Sequence, residues 1–410
     1  MKYIGKSAPI NDAQVKICGQ VKFTGDMYLP GMLYAKIVKS TVANGLITGF
    51  DFHGADQLAG VVKIYTKSDC NLPKYNSYRT FPGQEFCPED EELLTDHPRY
   101  AGDRVALVIA TTAQIAAVAA SMIEVQYERL PFAVSMVESL DPEMVAIHED
   151  GNIVGEYRRS FGYGMAALSA DILTRQITTE INTGKVHHGA IEPHVCLADY
   201  HNDSLTIWTP CQGVFVVRTM VADILSMPYH KVRVIKTPMG GSFGGKQFAV
   251  LEQIAAFASR DLHKPVLLQL DREESIISTV TRPDIFSNIS SKVAEDGILL
   301  DTKIHCCLNS GAYASSALDY LGSLGTKVCR LYHIPSVEYD GQAIYTNTSI
   351  TSGARGWGSP EFFTAMELHM DQIATELHLD PLELRLRNIV APYTVDPYSG
   401  FNVGNAGIRE

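Results

Sequence analysis

The sequence predicts an α+β protein, and three observations lead there. Short runs rich in β-branched residues recur from residue 32 to residue 314. An alanine-rich stretch behind two threonines has the composition of a capped helix. A loop with four glycines, PMGGSFGGKQ at 238–247, stands between an alternating run and a helical one.

Taken in order, MLYAKIV (32–38), GVVKIY (60–65) and DRVALVIA (103–110) read as strands. TTAQIAAVAASMIEVQYERL begins with capping threonines, continues as a helix and leaves as the alternating strand IEVQY. Between them NLPKYNSYRTFPGQEFCPEDEELL is polar, aromatic and punctuated by proline, which predicts a long surface loop. Residues 131–152 read as a linker, so a first unit spans 1–130 and a second 153–410. In the second unit HKVRVIKT (230–237) is a strand, and FAVLEQIAAFASR places Leu251, Ile254, Ala255 and Ala258 on one helical face. A β-rich section with GILLDTKIHCCLNSGAYA (297–314) precedes a closing helical section. There Ser359 is the expected N-cap, Pro360 the first helical residue, and Phe362, Phe363, Met366, Met370, Ile373 and Leu377 the buried face.

The length of 410 residues suits two or three domains, and 46% hydrophobic with 20% charged residues is an ordinary globular composition. A net charge of −12 argues against a nucleic-acid or anionic-membrane surface. The opening MKYIGKSAPINDAQ has no apolar core of signal-peptide length, and no apolar run approaches the roughly 18 residues of a membrane span, so a cytoplasmic protein is expected. The eight cysteines form no C-x-x-C pair and no zinc or ferredoxin spacing; they read as free thiols, and an iron–sulfur cluster has no ligands here.

The glycine loop is where the chemistry concentrates. A helix start offers unpaired amides and a partial positive charge, and glycines admit a bulky anion to the backbone, so the expected guest is a phosphate or similar oxyanion. The dinucleotide fingerprint G-x-G-x-x-G fails in every register at Ser242 and Phe243. Gly240, Gly245 and Lys246 fit a Walker A loop, but Gln247 stands where Ser or Thr must reach Mg²⁺. SGARGWGSPEFF repeats the design: glycines, a cation and an aromatic before a helix. The two loops, with Lys246 and Phe243 in one and Arg355 and Trp357 in the other, are either two grips on one large anionic cofactor or two unrelated helix caps. His187, His188, Glu192 and His194 follow H-H-x₃-E-x-H, which is not a helical i, i+4 pair and matches no common metal site. Asp271, Glu273 and Glu274 read as a solvated turn or a salt-bridge cluster.

With GDMYLPGMLYAKIVKS, RYAGDRVALVIA, HEDGNI, EPHVCLADY, LTIWTPCQGVFVVR, MGGSFGGKQ, NSGAYA, ARGWGSP, ELHMDQIA and DPLELRLRN in this order, the chain resembles the molybdenum hydroxylases, a family that includes xanthine dehydrogenase, aldehyde oxidase and nicotinate dehydrogenase. The resemblance runs most of the chain. It implies an N-terminal α/β hammerhead domain followed by a mixed α/β molybdopterin-binding domain. The guest of the loops is then molybdopterin with molybdenum, in its plain or cytosine dinucleotide form. The cofactor-binding positions it implies are Gly240, Gly241, Phe243, Gly244, Gly245, Arg355 and Gly356, with Gln212, Phe243 and Arg355 in the molybdenum environment.

The resemblance also implies a reaction, the insertion of water-derived oxygen into an electron-poor carbon, with a purine such as xanthine or hypoxanthine as the expected substrate and nicotinate or an aldehyde as alternatives. A non-catalytic molybdopterin-binding partner is the rival of a different class. Gln247 and Trp357 match substrate positions; Gln247 departs from the glutamate of several purine enzymes, and the second loop lacks the cysteine of a carbon-monoxide-oxidising member. The family's catalytic glutamate lies in a G-x-G-E type segment. After residue 360 the glutamates are Glu361, Glu367, Glu376, Glu383 and Glu410, none of that kind. The expectation is therefore a split enzyme or a truncated product, with iron–sulfur and FAD on partner subunits and a second molybdopterin subunit.

Overall fold

The computed structural model describes residues 4–78, 88–162, 173–397 and 399–410. Its larger sheet has seven strands in the order Val232–Lys236, Ser204–Thr209, Val195–His201, Val266–Gln269, Leu33–Lys39, Arg104–Ala110 and Val61–Tyr65. The predicted first-unit strands are all present, each within two residues of its expected ends. Arg104–Ala110 is buried at every position, as a continuous apolar run in mid-sheet must be. The helix Ala113–Met122 is capped by Thr112, whose side chain accepts the Ile115 amide, and it leads into the strand Glu124–Arg129.

This sheet crosses the boundary expected near residue 130. Leu33, Tyr34 and Ala35 pair in parallel with Val266, Leu267 and Leu268, while the other edge of the same strand pairs antiparallel with Arg104–Ala110. One apolar core therefore holds Leu33, Ile37, Leu107 and Ile109 together with Cys196, Ile207, Val217, Ile254 and Val266.

The second sheet has five strands, Ile153–Phe161, Val337–Tyr345, Leu299–Gly311, Ile285–Ala294 and Thr174–Thr183. Ile285–Ala294 alternates strictly between buried and half-buried, because only one face is packed. That face carries the helices Ala317–Gly325, Ser359–Leu377 and Pro381–Asn388 through Ile289, Val293, Ile304, Leu321, Phe362, Met366, Met370 and Ile373. Among the described residues, no helix is long and apolar enough to cross a membrane.

One expectation is corrected. In the stretch read as a surface loop, Tyr75, Asn76, Ser77, Asp90, Glu91, Leu93 and Leu94 are buried; residues 79–87, Cys87 included, lie outside the described residues. Its polar groups are consumed rather than solvated: the Tyr75 and Glu91 backbones pair with each other, and the Glu91 carboxylate takes the Ser77 amide at 2.7 Å. Residues 131–152 are docked on the second sheet, where Ala133 and Asn347 exchange hydrogen bonds and Ser139 Oγ donates to Tyr345 O.

These contacts belong to a buried polar seam. Asp90 Oδ2 accepts the Tyr345 hydroxyl at 2.7 Å and the Ala314 amide at 2.8 Å, and the Tyr313 hydroxyl donates to Asp103 Oδ2 at 2.6 Å. Burial first, and then the neighbouring Glu91 charge, push the Asp90 carboxyl up to about 7. The folded state thus holds a proton that the unfolded chain releases near pH 4, and Asp90's contribution is lost as pH rises through about 7. Thermal unfolding followed across that range should show stability falling with pH, and Asp90→Asn should flatten the fall.

Candidate functional site

The first glycine loop leaves the strand Val232–Lys236, but its helix, Glu252–Leu262, begins four residues later than the sequence pattern suggests. The reason is Glu252. Its Oε2 takes the amides of Val250 and Leu251 at 2.8 and 3.0 Å, and its Oε1 takes the Thr209 hydroxyl at 2.6 Å. The helix start is therefore occupied by a carboxylate of its own, and the anion-accepting backbone lies earlier, in the loop itself. Gly241, Ser242, Phe243 and Gly244 donate no backbone hydrogen bond to any described residue.

The second loop ends in the helix Ser359–Leu377, with Gly358 at φ 82° as N-cap in place of the expected Ser359. More than a hundred positions apart in the chain, the loops touch backbone to backbone. The Arg355 amide donates to the Phe243 carbonyl at 2.9 Å. A Cβ on Gly244 would stand 2.3 Å from the Gly353 carbonyl oxygen and 2.9 Å from Ala354 Cα, and Gly244 has φ 104°. Only glycine satisfies both conditions at 244. Phe243 at φ 53° and Trp357 at φ 44° occupy the left-handed region, at about 1–3 kcal/mol each, a strain that clusters at sites where surrounding structure holds the chain.

Gln212 joins the first loop through two bonds: its amide donates to Lys246 O at 2.9 Å, and its side-chain oxygen accepts the Ser242 hydroxyl. The structure thus brings Gln212, Phe243, Gly244 and Arg355 into one constellation, with Gln212, Phe243, Arg355 and Gly356 all on the exposed side. Gln247 and Trp357 meet on the inner side, both pressed against Gly353, where a Cβ would lie 2.8 Å from Gln247 Oε1 and 2.1 Å from the indole. The indole itself is half-buried, with Tyr78, Tyr320 and Phe248 around it.

Lys246 departs from its expected place as a cation facing a ligand. Only 4% exposed, its ammonium donates to Glu192 Oε2 at 2.7 Å and Glu192 O at 2.9 Å. Glu192 Oε2 also takes the Gly240 amide at 2.9 Å, while Oε1 is buried without a partner among the described residues. Burial lowers the Lys246 pKa and the Glu192 charge opposes that. The free cation of the pair of loops is Arg355, for which no ion pair is formed among the described residues.

The residues that support this arrangement carry only a faint sequence signal. His194 is buried, its pKa pushed down to about 4 by desolvation, and its Nε2 bonds the Gly245 carbonyl at 2.7 Å. His188 Nε2 bonds the Gly353 carbonyl at 2.9 Å. A neutral imidazole donates in both cases. These histidines and Glu192 thus brace the two loops, and EPHVC, already singled out as a motif, was the available signal. Under the second loop Arg282 donates to the Arg355 carbonyl at 2.6 Å and pairs with buried Glu361, which also takes the Tyr320 hydroxyl at 3.3 Å. Elsewhere, Asp271 and Glu274 form a capping box for the helix Arg272–Ser278, and buried Glu274 pairs with Lys36 and Lys39 at 2.8 and 3.0 Å.

Comparison with known proteins adds independent findings. Residues 147–389 match the molybdopterin cofactor-binding domain, and residues 18–131 match the a/b hammerhead domain of aldehyde oxidase and xanthine dehydrogenase. The chain is 33% identical over 404 residues to a xanthine dehydrogenase molybdenum-binding subunit of Escherichia coli O157:H7, covering 97% of this chain and 54% of that one. It is 29% identical to the nicotinate dehydrogenase large molybdopterin subunit of Eubacterium barkeri, covering 94% of this chain and 89% of that one. The solved aldehyde oxidoreductase from Desulfovibrio gigas superposes with a TM-score of 0.89 at 26% identity, over 98% of this chain and 44% of the other. The chain therefore spans about half the length of the first of these relatives.

The Glu192–Lys246 clamp yields a stability test. Lys246→Met leaves Glu192 buried with only the Gly240 amide, at an expected cost of about 3–5 kcal/mol. Urea unfolding of both forms measures it. A cost below about 1 kcal/mol would place the pair among ordinary surface ion pairs.

Proposed function

Because this chain belongs to the molybdenum hydroxylase family, of the xanthine dehydrogenase and aldehyde oxidoreductase type, we propose that it is the molybdopterin-binding part of an enzyme that hydroxylates a purine at an electron-poor carbon. The observation that carries the reading is the meeting of the two glycine loops, where four successive backbone amides donate to no described residue and the arginine of the second loop is exposed. Such a run of amides free to donate suits a phosphate-bearing anion. The residues thus fit molybdopterin, whether plain or as the cytosine dinucleotide.

In this reading the amides of Gly241 to Gly244 and the Arg355 guanidinium hold the anionic part, and the glycines at 240, 241, 244, 245 and 356 let the loops pack closely against Glu192, Ala190, Gly353, His188 and Pro360 around it. Gln212 and Phe243 face the metal end. When bound, the cofactor supplies the oxidative hydroxylation, with water as the oxygen source. Gln247 and Trp357 orient a flat heterocycle by hydrogen bonding and ring contact. Two carboxylates that brace the loops, Glu192 and Glu361, are committed to Lys246 and Arg282, so neither is a free base. We therefore assign proton abstraction to protein outside these residues, and electron removal to iron–sulfur and FAD subunits. Nicotinate is the second substrate reading, favoured by the long match to the nicotinate dehydrogenase large molybdopterin subunit.

The test is metal analysis of the co-purified complex with assays on xanthine, hypoxanthine, nicotinate and an aldehyde, using an artificial electron acceptor. Molybdenum with xanthine turnover supports the purine reading; molybdenum with nicotinate turnover replaces it by the second; a complex without molybdenum overturns both. Two variants sharpen the result. Gly244→Val, which forces a side chain into the Gly353 carbonyl, should lower molybdenum content at least about tenfold with the fold retained. Gln247→Glu should change KM among purines more than kcat.

A further inference from the structure

Trp357 is held by a residue from the other end of the chain. Tyr78 stacks on its indole with ring centroids 6.0 Å apart and planes at 25°, and it meets Phe248, just after the first glycine loop, edge-on at 4.8 Å. Tyr320 also lies 5.3 Å from the indole. Tyr78 is itself fixed at both ends: its hydroxyl donates to Asp319, and its amide donates to Asn76 Oδ1 at 2.8 Å. Asn76 Nδ2 in turn reaches Ser315 O at 3.1 Å and Pro88 O at 2.9 Å.

The indole thus sits between an N-terminal tyrosine and the helix Ala317–Gly325, and its backbone is held with it. The Trp357 amide donates to Ala354 O at 2.8 Å, and Ser323 Oγ donates to Trp357 O at 3.2 Å. Since Trp357 keeps a left-handed φ of 44°, something must hold it there, and ring packing is what surrounds it. The same turn presents the Arg355 amide to Phe243 O.

We propose that Tyr78 is a positioning residue: by stacking on Trp357 it sets the conformation of the second glycine loop, and so the shape of the substrate side of the site. The second half of this statement rests on the functional reading above, in which Trp357 faces substrate. The first half does not. The N-terminal domain then contributes to specificity without touching the substrate, through one aromatic contact across the sheet-linked units.

The chain has two tryptophans, Trp208 and Trp357, so in a Trp208→Phe background indole emission reports Trp357 alone. In that background acrylamide quenching of the full chain is measured for Tyr78, Tyr78→Phe, Tyr78→Leu and Asp319→Asn, with thermal unfolding as the check on folding. Tyr78→Leu should raise quenching, whereas Tyr78→Phe and Asp319→Asn, which both keep the ring, should stay close to the parent. Equal quenching in the parent and a folded Tyr78→Leu form overturns the proposal, as does failure of Tyr78→Phe to rescue. If the leucine variant does not fold, a Tyr78→Met form, which also removes the ring, decides: quenching equal to the parent overturns the proposal. In the assembled complex, loss of the stack is expected to raise KM for the heterocycle by about 2- to 12-fold with kcat little changed. Quenching that moves while KM does not would leave the positioning role standing and remove Trp357 from the substrate side, which tells the two failures apart.

Discussion

Everything at this site depends on how closely two backbones approach at Gly244. The Gly353 carbonyl occupies the space where any side chain at 244 would begin, and one residue away the Arg355 amide closes on the Phe243 carbonyl. Neither contact is strong by itself, since a net hydrogen bond contributes about 0.5–1.5 kcal/mol. Their effect is geometric. They turn two loops on different sheets into one surface, with the backbone of exposed Arg355 in the second against the loop amides of the first.

Such an approach must be held from beneath, and buried polar groups do this. Glu192 and Lys246 lock the first loop through Gly240, His194 takes the Gly245 carbonyl, and His188 takes that of Gly353. Arg282 spans Glu361 and the Arg355 carbonyl beneath the second. Buried charges are costly to leave unpaired and add little net stability when paired, so their value here is in specifying one loop conformation. The same reasoning explains why Lys246 is spent on the scaffold: an ammonium so deeply buried needs its carboxylate.

The larger sheet supplies rigidity at longer range. Because Leu33–Lys39 pairs with both Val266–Gln269 and Arg104–Ala110, the N-terminal segment is a structural neighbour of the first glycine loop's helix and not a separate body. The buried seam of Asp90, Asp103, Tyr313 and Tyr345 ties the same segment to the second sheet. Tyr78 extends from this tie to the indole of Trp357.

By itself the sequence determined the periodic elements and the local chemistry. Strands such as Arg104–Ala110 and the helix face of Phe362, Met366, Met370 and Ile373 were legible because side-chain periodicity is a property of neighbours along the chain. The glycine loops, and through their order the family, were legible for the same local reason. Only the tertiary structure decided what lies across space. It showed that the stretch around Tyr75 and Leu94 is buried despite its polar composition, because Glu91, Asn76 and Asp90 find partners more than ten residues away. It showed that Lys246 faces Glu192 and that Arg355 is the exposed cation, since charge type carries no record of partner. And it brought Gln212, Phe243 and Arg355 together, a closure that sequence spacing does not encode because it depends on two sheets folding against one another.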